Sequence, residues 1–396
     1  MVPHLTYPEA IVVGLFQGVT ELFPVSSLGH AVLIPALVGG SWAQDLNVSA
    51  PHSPYLAFVV GLHVATAIAM VIYFWRDWLR IVAGFFTSIA HRRIDTADQK
   101  LAWMIIFATI PVGIAGALLQ HTVQDTFAKP VLTGIFLAVN GLILFAGERF
   151  RRQHAAAAGG ARSRPAPPRP APPRPLVEET WVAGSSPARS REDTTLPGGR
   201  PQPAGSYRGG WAAGSAGAAG AAGAGGAGGA GGAAGNAHRT QIAGRHSAGQ
   251  RAVRQQEVNE AIEADARLTE VGYLRGTLLG ALQIFALLPG ISRDGVVMVG
   301  GMFRGLSRQD AARFSFLLSA PVIFAAGALK LGELTGPDGA GIGGQVLAGS
   351  IVSGVSAFLA LRFLVRYLGD HNRTLMPFAI YCLVAGIGSA IYLSVH

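Results

Sequence analysis

The chain has 396 residues, of which half are hydrophobic and only 13% are charged. This balance excludes an ordinary soluble protein and indicates a polytopic membrane protein. The net charge of +9 would suit nucleic acid, but most of the excess falls in one internal segment, so we predict no nucleic-acid partner. The single cysteine, Cys382, excludes a disulfide framework and is predicted to pack in the interior.

The first apolar segment, residues 8–38, contains the sequence QGVTELFPVSSLGH at 17–30. Pro24 is expected to end one helix, and Ser26 and Ser27 stand where the N-cap of a second helix belongs. Neither helix is long enough to cross a bilayer, so we predict a re-entrant hairpin whose broken backbone lines a polar cavity. The N-terminus of the second helix would attract anions, phosphates above all.

Four polar side chains of this hairpin are candidates for chemistry. Gln17 and Glu21 are four residues apart, so they share one helix face, and their oxygens suit a hard cation such as Mg²⁺ or Ca²⁺. His30 follows Ser27 by three residues and is close enough to act as its base. An ionisable residue within apolar sequence is functional by default, because burial without a partner is costly.

Six apolar runs have spanning length, and they lie at 55–75, 101–120, 130–147, 312–332, 344–365 and 375–394. His63, inside the first run, is interpreted as a hydrogen-bonded core histidine and is left out of the site. Residues 78–91 are predicted to form an interfacial amphipathic helix. The Lys/Arg bias of the loops places the first hairpin on the outside and the second on the inside. Three spans per half then make the two halves inverted repeats.

The segment 151–269 separates the first repeat, 1–150, from the second, 270–396. Its Pro-rich and Ala/Gly-rich runs cannot bury a core, so we predict a disordered cytoplasmic insert. The alternative is that its basic Pro-rich tract binds an SH3-like partner or anionic lipid.

The second broken segment, residues 271–303, contains QIFALLPGISRD at 283–294 and repeats the plan of the first. Gly290 loosens the break, Ser292 caps the next helix, and Arg293 suits bidentate phosphate binding. Gln283 is interpreted either as a ligand of metal or headgroup or as a brace of the hairpin. Two broken helices in corresponding halves of a membrane protein indicate a site between repeats.

These two motifs resemble those of the bacterial undecaprenyl-diphosphate phosphatases, the bacitracin-resistance family. The sequence at 17–30 is similar to that family's FPVSSxGH motif, and PGISRDG is similar to its PGxSRSGxT motif. The resemblance covers residues 8–150 and 270–394. The chain departs from the pattern at Asp294, where the family has serine, and at Val297, where it has threonine.

The expected fold is all-α and polytopic, with six transmembrane helices plus two re-entrant helical hairpins in inverted repeats. The resemblance implies a multi-pass protein of the bacterial inner (cytoplasmic) membrane that hydrolyses undecaprenyl diphosphate to undecaprenyl phosphate and phosphate. That product is the carrier lipid of peptidoglycan synthesis, and overproduction would confer bacitracin resistance. The polyprenyl diphosphate would enter from the surrounding membrane lipid. The sequence is also compatible with a homodimer.

The predicted site follows from the motifs and the resemblance together. Its catalytic residues are Glu21, Ser27, His30 and Arg293, its substrate-binding residues are Ser26, Gly290, Ser292 and Asp294, and Gln17 and Glu21 hold a divalent cation. Either Ser27 is the nucleophile with His30 as base, or His30 activates a water. We expect Asp294 to be neutralised by a second cation rather than by a salt bridge with Arg293.

Two other functions are compatible with the sequence. Re-entrant repeats with charge at the membrane midplane also suit a polyprenyl-phosphate flippase or transporter. A lipid-binding paralogue without turnover would account for Asp294 and Val297. The hydroxyl and imidazole at Ser27 and His30 favour chemistry, because transport alone needs no base.

Overall fold

A computed structural model of the protein describes residues 5–46, 54–127, 129–162, 262–330, 341–370 and 372–396. Every regular element in these ranges is a helix, which confirms the predicted all-α fold. The greater part of the predicted insert, 163–261, lies outside the described residues. The division into repeats and insert therefore stays a prediction.

The first half contains α1 (Tyr7–Leu22), α2 (Ser27–Val38), the short α3 (Gly40–Asp45), α4 (Pro54–Tyr73), α5 (Trp75–His91), α6 (Ala97–Phe127) and α7 (Pro130–Arg162). Helix α1 begins at a capping box, in which the Thr6 side chain accepts from the Glu9 backbone and the Glu9 carboxylate accepts from Thr6. It ends at Phe23, directly before Pro24, as the sequence predicts. Ser26 is the N-cap of α2.

The second half contains α8 (262–270), α9 (Tyr273–Ala281), a 3₁₀ segment (Leu282–Leu287), α10 (Arg293–Phe303), α11 (Arg308–Leu329), α12 (Gly343–Gly369) and α13 (Met376–Val395). The sequence predicts the break before α10 and its N-cap, Ser292. It does not predict that the helix before the break tightens into a 3₁₀ segment, which begins directly before Gln283.

Among the described residues, five helices are long and apolar enough to cross a membrane: α6, α7, α11, α12 and α13. The remaining predicted span, 55–75, corresponds to α4, which meets α5 at a bend of 85°. The two together form a sixth candidate span. Helix α5 covers the predicted amphipathic segment 78–91, with Ile81, Gly84 and Ser88 buried. Its location at the membrane interface stays a prediction.

The first hairpin helix of each half packs on a long helix of the other half. Helix α1 packs on α12, its counterpart α9 packs on α6, and the last helices of the halves, α7 and α13, pack on each other. A Cβ atom added at Gly18 would lie 2.3 Å from the Ser353 carbonyl oxygen, and one at Gly280 would lie 2.2 Å from the Ala108 carbonyl oxygen. Glycine therefore lets α1 and α9 approach their partner helices at corresponding contacts.

A cluster of charges joins α5, α8 and α11. The buried Asp265 carboxylate accepts from Arg80 Nη2 at 2.9 Å and from Arg313 Nη1 at 2.5 Å. Arg313 also contacts Asp77 at 3.0 Å. Burial raises the pKa of Asp265, and the two guanidinium groups oppose that effect.

Candidate active site

The tips of the two hairpins contact each other. The Ser26 hydroxyl accepts from the backbone N–H of Gly29 at 3.2 Å, which caps α2, and from that of Gly290 at 3.1 Å. Asn140 of α7 joins both breaks: its Nδ2 donates to the Pro24 carbonyl at 2.9 Å, and its Oδ1 accepts from Ser292 N at 3.0 Å. One side chain therefore fixes the positions of both helix N-termini.

Glu21 is the centre of the polar contacts between the hairpins. Its Oε1 is paired with the Arg293 guanidinium of the second hairpin. Its Oε2 accepts from Gln17 Nε2 at 2.9 Å and from Ser27 Oγ at 2.5 Å, and it lies 3.3 Å from His63 Nε2. The carboxylate is buried, so these groups replace the water that would otherwise solvate its charge.

His63, which the sequence analysis leaves out of the site, is hydrogen-bonded as that analysis expects but also lies against Glu21. Its Nδ1 donates to the Val59 carbonyl at 2.8 Å, which orients Nε2 toward Glu21. The sequence could not show this, because His63 lies on α4, 42 positions away from Glu21 and outside either motif.

His30 holds the first hairpin together rather than contacting Ser27. Its Nδ1 donates to the Ser26 carbonyl at 2.7 Å, and its Nε2 accepts from the Tyr381 hydroxyl at 2.7 Å. Ser26 has a positive φ of 68°, and the His30 contact helps to fix that uncommon backbone conformation. The hydroxyl of Ser27 donates to Glu21 instead. Tyr381 was missed because α13 carries no motif.

Asp294 does not pair with its neighbour Arg293 within the part of the chain that the structure describes. Its Oδ1 accepts from the Ser315 and Ser319 hydroxyls of α11, at 2.6 Å each. The guanidinium of Arg293 is paired with Glu21. The salt bridge between Arg293 and Asp294 is therefore not formed, and the cation alternative stays a prediction. The four-residue spacing of Ser315 and Ser319 is the signal that could have indicated them.

The donor set around Glu21 fits a divalent cation that takes most of its ligands from a substrate. Among the described residues, no group of three or more His, Cys, Asp or Glu side chains could hold a metal ion alone. Glu21 offers carboxylate oxygens, and the neighbouring Gln17, whose Nε2 donates to Glu21 Oε2 at 2.9 Å, would have to turn its amide to present its oxygen to the ion. Mg²⁺ is commonly held by one or two carboxylates together with substrate phosphates, so two protein ligands are sufficient.

A cavity of about 300 Å³ opens at this cluster. Its lining combines two chemistries, because the polar groups of both hairpins meet small and aliphatic residues of α6 and α11 there. The polar lining residues are Glu21, Ser26, Ser27, His63, Thr109, Gln283, Ser292, Arg293 and Lys330. Among the apolar lining residues are Val112, Gly113, Gly116, Val322, Ile323 and Ala326. The cavity suits an amphiphile with an anionic headgroup and an apolar tail.

The fold defines an all-α polytopic membrane protein, with a cavity that is polar at the two hairpin tips and apolar along α6 and α11. The family model described as "Bacitracin resistance protein BacA" matches residues 10–164 and 249–388. The chain therefore belongs to the BacA family, which confirms the resemblance of its two motifs.

Curated relatives support the same family. An undecaprenyl-diphosphatase of Mycolicibacterium paratuberculosis is 48% identical over 396 residues, and one of Mycobacterium avium is 47% identical over 396 residues, each covering 100% of both chains. Undecaprenyl-diphosphatase 2 of Frankia alni is 44% identical, with 97% of this chain and 96% of the relative covered. The match to these relatives includes the insert as well as the two motifs.

Proposed function

We propose that the chain hydrolyses undecaprenyl diphosphate to undecaprenyl phosphate and inorganic phosphate in the inner (cytoplasmic) membrane of a bacterium. The observation that carries this proposal is the contact of Ser27, Glu21 and Arg293 at the polar end of an amphiphilic cavity. The diphosphate would lie at the hairpin tips and the prenyl tail along α6 and α11. The product returns to peptidoglycan synthesis as carrier lipid, which links the activity to bacitracin resistance.

The geometry supports Ser27 as the nucleophile and Glu21 as the group that takes its proton. Ser27 Oγ donates to Glu21 Oε2 at 2.5 Å, so the acceptor is already in contact with the hydroxyl. As the Oγ–P bond forms, the bond between the terminal phosphorus and the bridging oxygen breaks, and undecaprenyl phosphate leaves. A water then hydrolyses the phosphoserine and regenerates Ser27.

Arg293 and the N-terminus of α10 would hold the transferring phosphoryl group. In the structure the guanidinium pairs with Glu21, and a bound diphosphate would compete with that carboxylate for it. The Ser292 hydroxyl caps α10 by accepting from Gly295 N at 3.1 Å, and both Ser292 and Arg293, at the N-terminus of this helix, line the cavity.

A divalent cation, Mg²⁺ or Ca²⁺, is part of the proposal. Gln17 and Glu21 would hold it. When bound there, the ion would neutralise part of the diphosphate charge. Asp294 is close enough to Glu21 and Arg293 to interact electrostatically with both. The Ser315 and Ser319 hydroxyls of α11 hold its carboxylate in position.

Phosphate release by the purified chain tests the proposal. We expect release from undecaprenyl diphosphate that stops with a chelator and returns with Mg²⁺ or Ca²⁺. Ser27→Ala should lower kcat by about 10³-fold or more, and a phosphorylated Ser27 peptide should accumulate in single turnover. Full activity of Ser27→Ala would instead support attack by water.

The flippase alternative has its own signature. Movement of undecaprenyl phosphate across liposome membranes without phosphate release would show that the protein is a transporter and not an enzyme. Binding of the lipid with neither transport nor release would support the non-catalytic paralogue. The homodimer that the sequence allows for is tested separately by cross-linking in native membranes.

A further inference from the structure

Gln283 carries a buried amide that is unpaired within the described part of the chain. The residue is 1% exposed, and neither Nε2 nor Oε1 has a hydrogen-bond partner. Buried polar groups are almost always paired, and an amide left without partners destabilises the fold. The Nε of Arg293 is unpaired in the same way. Both residues line the cavity at the hairpin tips.

The other buried glutamines of the described chain are paired. Gln17 donates to Glu21 at 2.9 Å. The Oε1 of Gln99 accepts from the backbone N–H groups of Asp95 and Thr96, and its Nε2 donates to Thr87. A glutamine that braces a helix break would make contacts of this kind. Gln283 makes none, so the bracing alternative has no hydrogen bond to support it.

The two walls of the cavity differ in chemistry. The wall from the first hairpin carries the Glu21 carboxylate and the Ser27 hydroxyl in contact with each other. The wall from the second hairpin carries the guanidinium of Arg293, the capped N-terminus of α10 and the amide of Gln283. No acidic residue of the second hairpin lines the cavity in the described chain. The second wall therefore offers donors to an anion.

We propose that the Gln283 amide binds the diphosphate headgroup of the lipid substrate. Its Nε2 donates to a phosphate oxygen, while its Oε1 accepts from a water or from a protonated phosphate oxygen. This inference rests on the proposed function, and it assigns Gln283 to binding rather than to bond breaking. The unpaired amide is then a preformed contact that becomes satisfied when the lipid arrives.

The test compares Gln283→Leu with the wild-type chain in detergent. With farnesyl diphosphate as substrate, KM should rise about 10- to 100-fold, the loss expected for one hydrogen bond to a charged group, with kcat within about 3-fold. The melting temperature of the protein without ligand should stay the same or rise, because leucine removes an unpaired amide. Gln283→Met gives the same readouts should the branched side chain fail to fit.

Gln99→Leu is the matched control, because it removes a buried amide that is fully paired and lies outside the cavity. It should lower the melting temperature and leave KM unchanged. The inference is overturned if Gln283→Leu behaves like this control, since that pattern belongs to a brace.

Ligand-induced stabilisation separates this inference from the function. Farnesyl diphosphate should raise the melting temperature of the wild-type chain, and Gln283→Leu should lose most of that shift. A wild-type chain that binds but releases no phosphate would contradict the proposed hydrolysis alone. A wild-type chain that turns over, beside a Gln283→Leu variant with unchanged KM and shift, would contradict the role of Gln283 alone.

Discussion

Glu21 is contacted from four directions: Arg293, Gln17 and Ser27 donate hydrogen bonds to its carboxylate, and His63 Nε2 lies 3.3 Å from Oε2. When the guanidinium turns to phosphate, three of these contacts remain. The carboxylate can therefore keep its position against Ser27 while a phosphate of the substrate takes its place beside the Arg293 guanidinium. The site then holds more negative charge than before binding, and the proposed divalent cation would offset part of it.

Glu21→Gln should abolish divalent-dependent turnover and leave the protein folded in membranes. The amide cannot take the Ser27 proton, and we expect kcat to fall by about 10²- to 10⁴-fold, the range for a lost general base. Phosphate release and gel-filtration behaviour measure the two effects. Glu9→Gln, a buried carboxylate in the α1 cap, is the control and should keep its activity. Wild-type activity in Glu21→Gln would remove Glu21 from the mechanism.

Asp294→Ser restores the residue that the family has at this position. The variant should stay active, within about an order of magnitude, because a serine hydroxyl can still bond to Ser315 and Ser319. If Asp294 supports a second cation, half-maximal rate will need more divalent ion. An unchanged metal requirement together with a lower KM would show that the carboxylate only repels the substrate.

At the scale of the elements, the charged cluster at Asp265 holds α5, α8 and α11 together. Asp265→Ala would leave Arg80 and Arg313 without their shared buried partner, and removing one member of a buried ion pair costs about 3 kcal/mol or more. We therefore expect a clear fall in the melting temperature measured in detergent.

Asp370→Ala is the matched control for that variant, because Asp370 makes an exposed ion pair with Arg373. An exposed pair contributes little, so its loss should leave the melting temperature nearly unchanged. Equal effects of the two variants would mean that the cluster does not hold the three helices.

The sequence predicts those elements whose cause is local. Pro24 with the Ser26 cap defines one hairpin break, and Ser292 defines the other, because a proline and a cap act within a few residues. The separate predictions of a span at 55–75 and an amphipathic helix at 78–91 also place the break between α4 and α5, although not its angle of 85°. The 3₁₀ segment before the second break has no local signal.

The same distinction applies to the site. Glu21, Ser27 and Arg293 are found from the motifs, and the structure brings them into contact. Asn140 and Tyr381 reach the site from helices without a motif, so only the packing of α7 and α13 against the hairpins reveals them. The roles of all these residues stay predictions until variants are assayed.

At the scale of the whole molecule, the insert is expected to be dispensable for chemistry. The family model matches residues up to 164 and again from 249, so it omits the segment between. Replacing Pro165–Ser247 with a short flexible linker should keep phosphate release within about 3-fold, because low-complexity sequence adds no core. The assay uses membranes with equal amounts of inserted protein. Normal insertion with lost activity would make the insert part of the mechanism.

The pairing of Glu21 with Arg293 joins residues 272 positions apart, which has a consequence for biosynthesis. At about 5 to 20 residues per second, the ribosome needs roughly 15 to 55 seconds to make the arginine after the carboxylate. Gln17 and Ser27 both lie within the first 27 residues, so Glu21 has two hydrogen-bond donors during that interval. The first repeat would thus enter the bilayer with two hydrogen-bond donors beside its acid before the charged partner of that acid has been made.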